Sequence, residues 1–402
     1  MKPASIMVIA GDASADEHAA SLVTVLRKKI SEAGAFPTDD VQPLKTELAP
    51  VFFGAGGSRM KTAGVDLAFD LTQHSIIGIT RALRAILTYR RLFNRLLALA
   101  IERQPEVIIG VDFGGFNTRF ASAIRQYAEK HSGMFQNWKP KIVQYISPQV
   151  WASRPGRAHK MAISHDLILS IFPFEKNWYA RRVPQLPVEF VGHPMLDRYQ
   201  QSASSNGIPA VNPQPHVVLL PGSRPAELRH HLEMMLRALR LIRVRVPELR
   251  ATMIVPNAAL GEQAKRFNLP ADIAVRVGGL SDALANADLA ISKTGTITME
   301  CALFRVPTVT FYRLSWIEYQ LAIRLVNVKW ATMPNLLADE EVFPEFIQDR
   351  ATPENISAAA LELLQNQAHR QVVKTKLDKI ISLLGGPGAT DRAAEAVVSL
   401  LK

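Results

Sequence analysis

The chain has 402 residues, 48% of them hydrophobic and 21% charged, which excludes a disordered protein and allows two or three separately packed domains. A formal net charge of +11 favours an anionic partner, yet with 7% aromatic residues and no RNA-binding motif or Cys/His finger, nucleic acid is not the expected one. The single cysteine, Cys301, cannot form an internal disulfide and fits a reducing cytoplasm.

At the start, the apolar run 6–10 is too short for a signal peptide and leads directly into Gly11-Asp12. No uncharged apolar stretch of about 18 residues occurs, so the chain is expected to be neither exported nor membrane-spanning. Strand-like runs at 6–10, 51–54, 107–111, 141–146, 167–171 and 188–191 alternate with helical patterns. Such alternation predicts parallel βαβ units covered on both faces. Within this half, residues 80–103 are basic and amphipathic: Arg81, Arg84, Arg91 and Arg95 share one side, while Leu83, Ile86, Leu87, Phe93, Leu97 and Ile101 populate others. A helix of this kind either lies on anionic lipid or packs its apolar face on its own sheet.

Residues 200–215, rich in Ser, Asn, Pro and Gly, read as an interdomain linker. A second series of strands is expected at 217–220, 252–255, 274–277, 289–292 and 308–311. The expected fold class is therefore α/β, with two Rossmann-like domains at 1–199 and 216–384. A last helical segment within 385–402 either packs back on the first domain or joins a partner chain. Open α/β sheets bind ligands beyond the carboxyl ends of their strands, so the loops 11–16, 112–117, 147–151 and 221–224 are expected to converge on a cleft between facing domains. That arrangement suits a two-substrate enzyme. A nicotinamide dehydrogenase is disfavoured because Gly11-Asp12-Ala13-Ser14-Ala15-Asp16 lacks the second and third glycines of the dinucleotide fingerprint, and no Walker loop occurs.

Several junctions carry candidate chemistry. Asp112 follows an apolar strand and precedes Phe113-Gly114-Gly115-Phe116-Asn117, where a carboxylate is either a general base or a cap. The turn Pro221-Gly222-Ser223-Arg224 joins a strand to a long amphipathic segment; it is either an ordinary connection or a phosphate cradle of free N–H groups and a forked guanidinium. Thr294-Gly295-Thr296 with Glu300 one turn later repeats the pattern: hydroxyls and N–H groups for a diphosphate and a carboxylate for a ribose diol, or simple helix capping. His193, in Gly192-His193-Pro194, either meets substrate oxygens or is structural, and Trp151 either walls a pocket or fills core. No Asp-x-Asp pair or ligand-spaced cluster calls for a metal.

Taken in order, Ala10-Gly11-Asp12-Ala13-Ser14-Ala15-Asp16, Gly54-Ala55-Gly56-Gly57-Ser58-Arg59-Met60, 112–117, Tyr145-Ile146-Ser147-Pro148-Gln149-Val150-Trp151-Ala152, Pro173-Phe174-Glu175-Lys176, Val191-Gly192-His193-Pro194, 219–224, Thr294-Gly295-Thr296 with Glu300, and Met333-Pro334-Asn335-Leu336-Leu337 closely resemble the lipid-A-disaccharide synthase family over residues 5 to 356. The resemblance implies a GT-B glycosyltransferase that joins UDP-2,3-diacylglucosamine to 2,3-diacylglucosamine 1-phosphate, releasing UDP and leaving a β-1,6 disaccharide. It implies inversion without metal or other cofactor, and association with the inner face of the inner membrane. Residue by residue it makes Asp112 the base. It sets Asp12, Ser14, Asn117, Ser147, Trp151 and His193 on the acceptor side, and Gly222, Ser223, Arg224, Thr294, Gly295, Thr296, Glu300, Asn335 and Gln348 on the donor side. The chain departs from the family's usual residues at Asp12, Ala15, Gly115 and Lys293. Two other readings use the same residues: a different UDP-sugar enzyme on this fold, such as a UDP-N-acetylglucosamine 2-epimerase, or a non-catalytic nucleotide-sugar or lipid-binding relative.

Overall fold

A computed structural model describes residues 3–33, 49–72, 82–133, 136–203 and 214–401. The chain divides into two compact units, one formed by Met1–Asp197 with Leu384–Lys402 and the other by Arg198–Leu383. Most of the segment read as a linker, residues 204–213, lies outside the described residues.

The first unit is built on β1 (Ser5–Ala10), β2 (Val51–Gly56), β3 (Asp66–Asp70), β4 (Val107–Val111), β5 (Lys141–Tyr145), β6 (Leu167–Ser170) and β7 (Val188–Phe190), in the order β3-β2-β1-β4-β5-β6-β7. The second carries β8 (His216–Leu220), β9 (Arg250–Val255), β10 (Ile273–Val277), β11 (Leu289–Lys293), β12 (Thr308–Tyr312) and β13 (Glu345–Ile347), in the order β10-β9-β8-β11-β12-β13. Every named pair is parallel. Central strands such as Val-Ile-Ile-Gly-Val of β4 are buried throughout, because helices cover both faces of a parallel sheet. In each sheet the strand order reverses once, between β1 and β4 and between β8 and β11. The crevice beyond the carboxyl ends at such a reversal is where open α/β sheets take ligands.

Eleven of these strands were legible as apolar runs; β3 (Asp-Leu-Ala-Phe-Asp) and β13 (Glu-Phe-Ile) were not. Both are sheet-edge strands, and edges are kept short and charged, which erases the pattern. The helix Ala82–Arg103 resolves one ambiguity in part. From Tyr89 onward its apolar side packs in the core beneath β1, β2 and β4, with Leu96 and Ala100 fully buried and Phe93 edge-on to Phe120. That portion is a core-facing helix with Arg91 and Arg95 outside; Arg81 and the side chains of residues 82–87 lie outside the described residues. The helix Ala389–Ser399 packs on Ala13–Ala33 in the first unit, with Ala393, Ala394 and Val397 buried and Lys29 paired to Glu395 at 2.8 Å. Asp197 fastens its start by accepting the N–H groups of Gly388, Ala389 and Thr390 at 2.6, 3.0 and 2.9 Å.

Candidate functional site

In the first unit the candidate residues stand on the turns after β1, β4 and β5, with His193 after β7. After β1, Gly11 lies under the Phe113 ring; a Cβ there would fall 2.3 Å from the ring, so only glycine fits. Asp12 accepts the Ala15 N–H at 2.9 Å and caps the helix Ala13–Ala33, with Ser14 exposed beside it. Asp16, buried one turn on, accepts the N–H groups of Gly57, Arg59 and Met60 at 2.7, 3.0 and 3.2 Å, tying the Gly54–Met60 motif to this turn.

After β4 the backbone turns through two successive left-handed residues, Asp112 (φ 46°) and Phe113 (φ 42°), a conformation unfavourable for side chains of this size. Asn117 reaches back from the first turn of Gly114–Lys130 and donates to the Asp112 carbonyl at 2.9 Å. Gln144 of β5 donates to the same oxygen at 2.7 Å. Burial pushes the half-buried Asp112 carboxyl up to about 6; the Asp12 charge adds to the rise, and a hydrogen bond from the Phe113 N–H opposes it. A carboxyl group with that affinity is largely ionised near neutral pH and can accept a proton from a hydroxyl as that oxygen attacks. Gly115, one of the departures, has nothing within 4 Å of where a Cβ would stand, so packing does not require glycine there.

The turn after β5 is internally satisfied. Ser147 Oγ lies 3.2 Å from the Tyr179 hydroxyl, and Trp151 donates its indole N–H to Glu175 at 3.0 Å. Burial raises Glu175 to about 7. Trp151 sits edge-on to Phe174, which stacks on Phe172, against which His193 tilts at 5.4 Å. His193 and Trp151 are thus buried parts of one aromatic cluster: of the two readings of Trp151, the core-filling one matches its surroundings.

In the second unit, β8 runs into Pro221-Gly222-Ser223-Arg224 and the helix Pro225–Arg245. Gly222 has φ 130°, and a Cβ on it would lie 2.5 Å from Glu227. The Glu227 carboxylate accepts the Ser223 N–H at 2.8 Å, with Lys293 Nζ 3.3 Å away and Arg224 Nη1 at 3.6 Å. Burial works to raise Glu227, but Lys293, the Ser223 amide and Arg224 outweigh it and hold the carboxyl below its ordinary value. Two cations and one carboxylate leave this turn net positive, with the Arg224 side chain 77% exposed and available to an anion. Lys293 lies at the end of β11, next to Thr294-Gly295-Thr296 and the helix Ile297–Leu303. Glu300 accepts a 2.5 Å hydrogen bond from the Tyr199 hydroxyl.

Asn335 and Gln348 have roles that the resemblance did not anticipate. Asn335 donates to the Phe343 carbonyl and to Glu345 at 2.7 and 2.9 Å, and accepts the N–H groups of Val342 and Phe343 at 2.9 and 2.8 Å. Both protons and both lone pairs of its carboxamide are used within its own loop, so its side chain has no capacity left for a donor sugar. Set on the donor side by the resemblance, its carboxamide braces its own loop. Gln348 clasps the main chain after β12, accepting from and donating to Leu314 at 3.1 and 3.0 Å.

Four residues with roles here were not picked out from the sequence: Asp16, Gln144, Glu227 and His231. His231 bridges the Pro221 carbonyl (3.4 Å) and the Arg313 amide (3.3 Å), and burial holds its imidazole below the usual value. Gln144 did leave a trace, as a lone amide in the otherwise apolar stretch Ile142-Val143-Gln144-Tyr145. Glu227 left another, as an acid in the first turn after a proline.

A family model described as lipid-A-disaccharide synthetase matches residues 6–397. A lipid-A-disaccharide synthase of Trichlorobacter lovleyi is 32% identical over 413 residues, spanning 100% of this chain and 98% of that protein. Among solved structures, a UDP-GlcNAc 2-epimerase of Neisseria meningitidis bound to UDP-GlcNAc is similar with a TM-score of 0.62 at 10% identity, covering 99% of this chain and 100% of that one. A calicheamicin glycosyltransferase reaches 0.59 at 15% identity, covering 100% and 99%. At such identities the structural likeness speaks for the fold alone.

Proposed function

This chain belongs to the lipid-A-disaccharide synthetase family and is a glycosyltransferase of lipid A biosynthesis with the GT-B fold, and from that premise we propose how its residues carry the transfer. The substrates are a nucleotide sugar and a lipid-linked sugar; in this reading they are UDP-2,3-diacylglucosamine and 2,3-diacylglucosamine 1-phosphate. Asp112 takes the proton of the acceptor 6-hydroxyl as that oxygen bonds to the anomeric carbon from the face opposite the diphosphate. The bond from the anomeric carbon to the diphosphate oxygen breaks, its electron pair leaves with UDP, and the anomeric configuration inverts. Arg224, the Gly222 N–H and the Ser223 hydroxyl meet the diphosphate charge, while the Ser223 N–H stays with the Glu227 carboxylate. Thr294, Gly295 and Thr296 add donors. Glu300 holds the ribose, exchanging the Tyr199 hydroxyl for the diol.

On the acceptor side, Asp12 shapes the field at Asp112, Asn117 orients it and Ser14 lies open beside it, while Ser147, Trp151 and His193 form the packed wall behind. The full-length family match, over residues 6–397, carries this reading. Incubation with the two lipid sugars should give UDP and a disaccharide monophosphate by mass, both strictly dependent on the acceptor. Turnover of UDP-N-acetylglucosamine alone to an isomeric sugar would instead indicate an epimerase.

Lipid-linked substrates bring the chain to a membrane surface, although no helix among the described residues is long and apolar enough to cross one. We place that contact on the ten-residue helix Trp316–Leu325, which buries no residue. At 100° per residue, Ile323, Trp316, Gln320, Arg324, Ile317 and Leu321 share a side about 160° wide, four of the six apolar. Trp316 and Ile317 are 72% and 75% exposed, and exposed Arg313, Arg324 and Lys329 supply charge complementary to anionic lipid. So short a helix is marginal in water and gains from an apolar partner. Wild-type protein should co-sediment with phosphatidylglycerol-containing vesicles, and Trp316→Ser with Ile317→Ser and Leu321→Ser should cut binding about tenfold or more. Undiminished binding by the triple variant would assign the contact elsewhere.

A further inference from the structure

Among the described residues, three non-glycine residues in the left-handed region, Asp112, Phe113 and Ile146, cluster where β4 and β5 end. One polar side chain hydrogen-bonds to both of the turns that hold them. Gln144 is fully buried in β5, opposite Gly110 of β4 in the ladder. Its Nε2 donates to the Asp112 carbonyl at 2.7 Å and stands 3.2 Å from the Ile146 carbonyl and 3.4 Å from that of Tyr145. The amide has two protons, so it serves both turns at once. Tyr145 completes the hold by accepting the Asp112 N–H at 2.9 Å, and Asn117 donates to the same Asp112 carbonyl from the other side.

The cost of this arrangement is visible. Gln144 Oε1 is buried without a hydrogen-bond partner, as is Asn117 Oδ1. An apolar side chain of the same length would avoid stranding that oxygen. What it could not supply are the two N–H groups that keep both strained turns in place.

We propose that Gln144 is a positioning residue for the transfer, its amide cross-linking the turns after β4 and β5 so that the Asp112 carboxylate is held facing the acceptor hydroxyl. This rests on the reading of Asp112 as the base. Gln144 touches no substrate; it acts through the backbone of Asp112 and through the turn that carries Ser147 and Trp151.

The test uses the full chain, with kcat and donor KM measured for Gln144→Met, Asp112→Asn and the double variant, UDP affinity by calorimetry and folding by circular dichroism. Gln144→Met is expected to lower kcat about 30-fold, to leave donor KM and UDP affinity within about twofold, and to move the acidic limb of the kcat profile by ~0.5 unit. In the Asp112→Asn background the same substitution should cost nothing further, because the two residues act as one unit. Gln144→Leu, which stays apolar in the buried site and supplies no donor, should fall with Gln144→Met. Equal losses from Gln144→Met with and without Asp112, or a folded Gln144→Leu with normal kcat and pH profile, would overturn the proposal. If Asp112→Asn itself keeps normal turnover, the assignment of the base fails instead, and the two failures are separable.

Discussion

Asp112→Asn is expected to lower turnover by about 10²–10⁴-fold while UDP affinity stays within about twofold. The amide keeps the shape of the side chain and cannot accept the acceptor's proton. In the proposed reading UDP meets Arg224 and its neighbours, which the substitution leaves unchanged. Single-turnover kinetics with calorimetric UDP binding checks both halves, and near-normal turnover would remove Asp112 from the mechanism. The wild-type rate should rise with pH through about 6, where the Asp112 carboxyl ionises, and be lost below it. Asp12→Asn should move that limb downward. Asparagine can still cap the helix through its carbonyl oxygen, so the substitution removes the Asp12 charge with little change of structure.

The same raised carboxyl makes a prediction about stability, and its sign is opposite to the usual carboxylate case. The unfolded chain releases the Asp112 proton near 3.8 and the folded chain near 6, so stability falls as pH rises between those values. Above pH 6 the ionised group costs up to about 3 kcal/mol, less whatever solvent screens at a half-buried side chain. Asp112→Asn is free of that cost and should melt higher than wild type at pH 8, with the difference vanishing below pH 4. A variant that is inactive and more stable at pH 8 would indicate a carboxylate retained for chemistry at the expense of the fold.

Arg224→Ala is expected to raise donor KM about tenfold and lower kcat about 10- to 100-fold, because the guanidinium is asked to hold the diphosphate and to stabilise it further as it leaves. The surroundings limit the loss. Lys293 stays 3.3 Å from Glu227, and the Ser223 amide stays in place, so some positive potential survives. Arg224→Lys should recover part of the KM effect and less of the kcat effect, since an ammonium supplies charge without the two-pronged geometry. The measurement is steady-state kinetics on varied donor at saturating acceptor, beside direct UDP titration. Unchanged values in both would return Pro221–Arg224 to an ordinary strand-to-helix connection.

The legibility of this chain follows a physical line. β4 could be read because Val-Ile-Ile-Gly-Val is buried on both faces and must be apolar, whereas β3 and β13 at the sheet edges answer to no such demand. Arg224 was found because the residues that make its turn are consecutive. Gln144 was not, since its principal partner, Asp112, lies 32 residues away and a buried amide announces only that some partner exists. Asn335 misled for the converse reason. The resemblance marked its motif as important, but the importance lies in closing the Asn335–Glu345 loop upon itself.

The order of residues along the chain thus determined the α/β class, the two series of parallel strands, the family, and the positions of Asp112 and Arg224 just after strands and of Glu300 in the first turn of a helix. These depend on hydrophobic periodicity and on short contiguous turns, which are local properties. Folding in three dimensions added what depends on distant partners. It set the affinity of Asp112 for its proton through burial and Asp12, gave Glu227 and Lys293 their pairing 66 residues apart, consumed the side chain of Asn335, and left the apolar side of Trp316–Leu325 exposed. Charge, desolvation and hydrogen-bond saturation act through space, and only the packed chain states which groups are near enough to feel them.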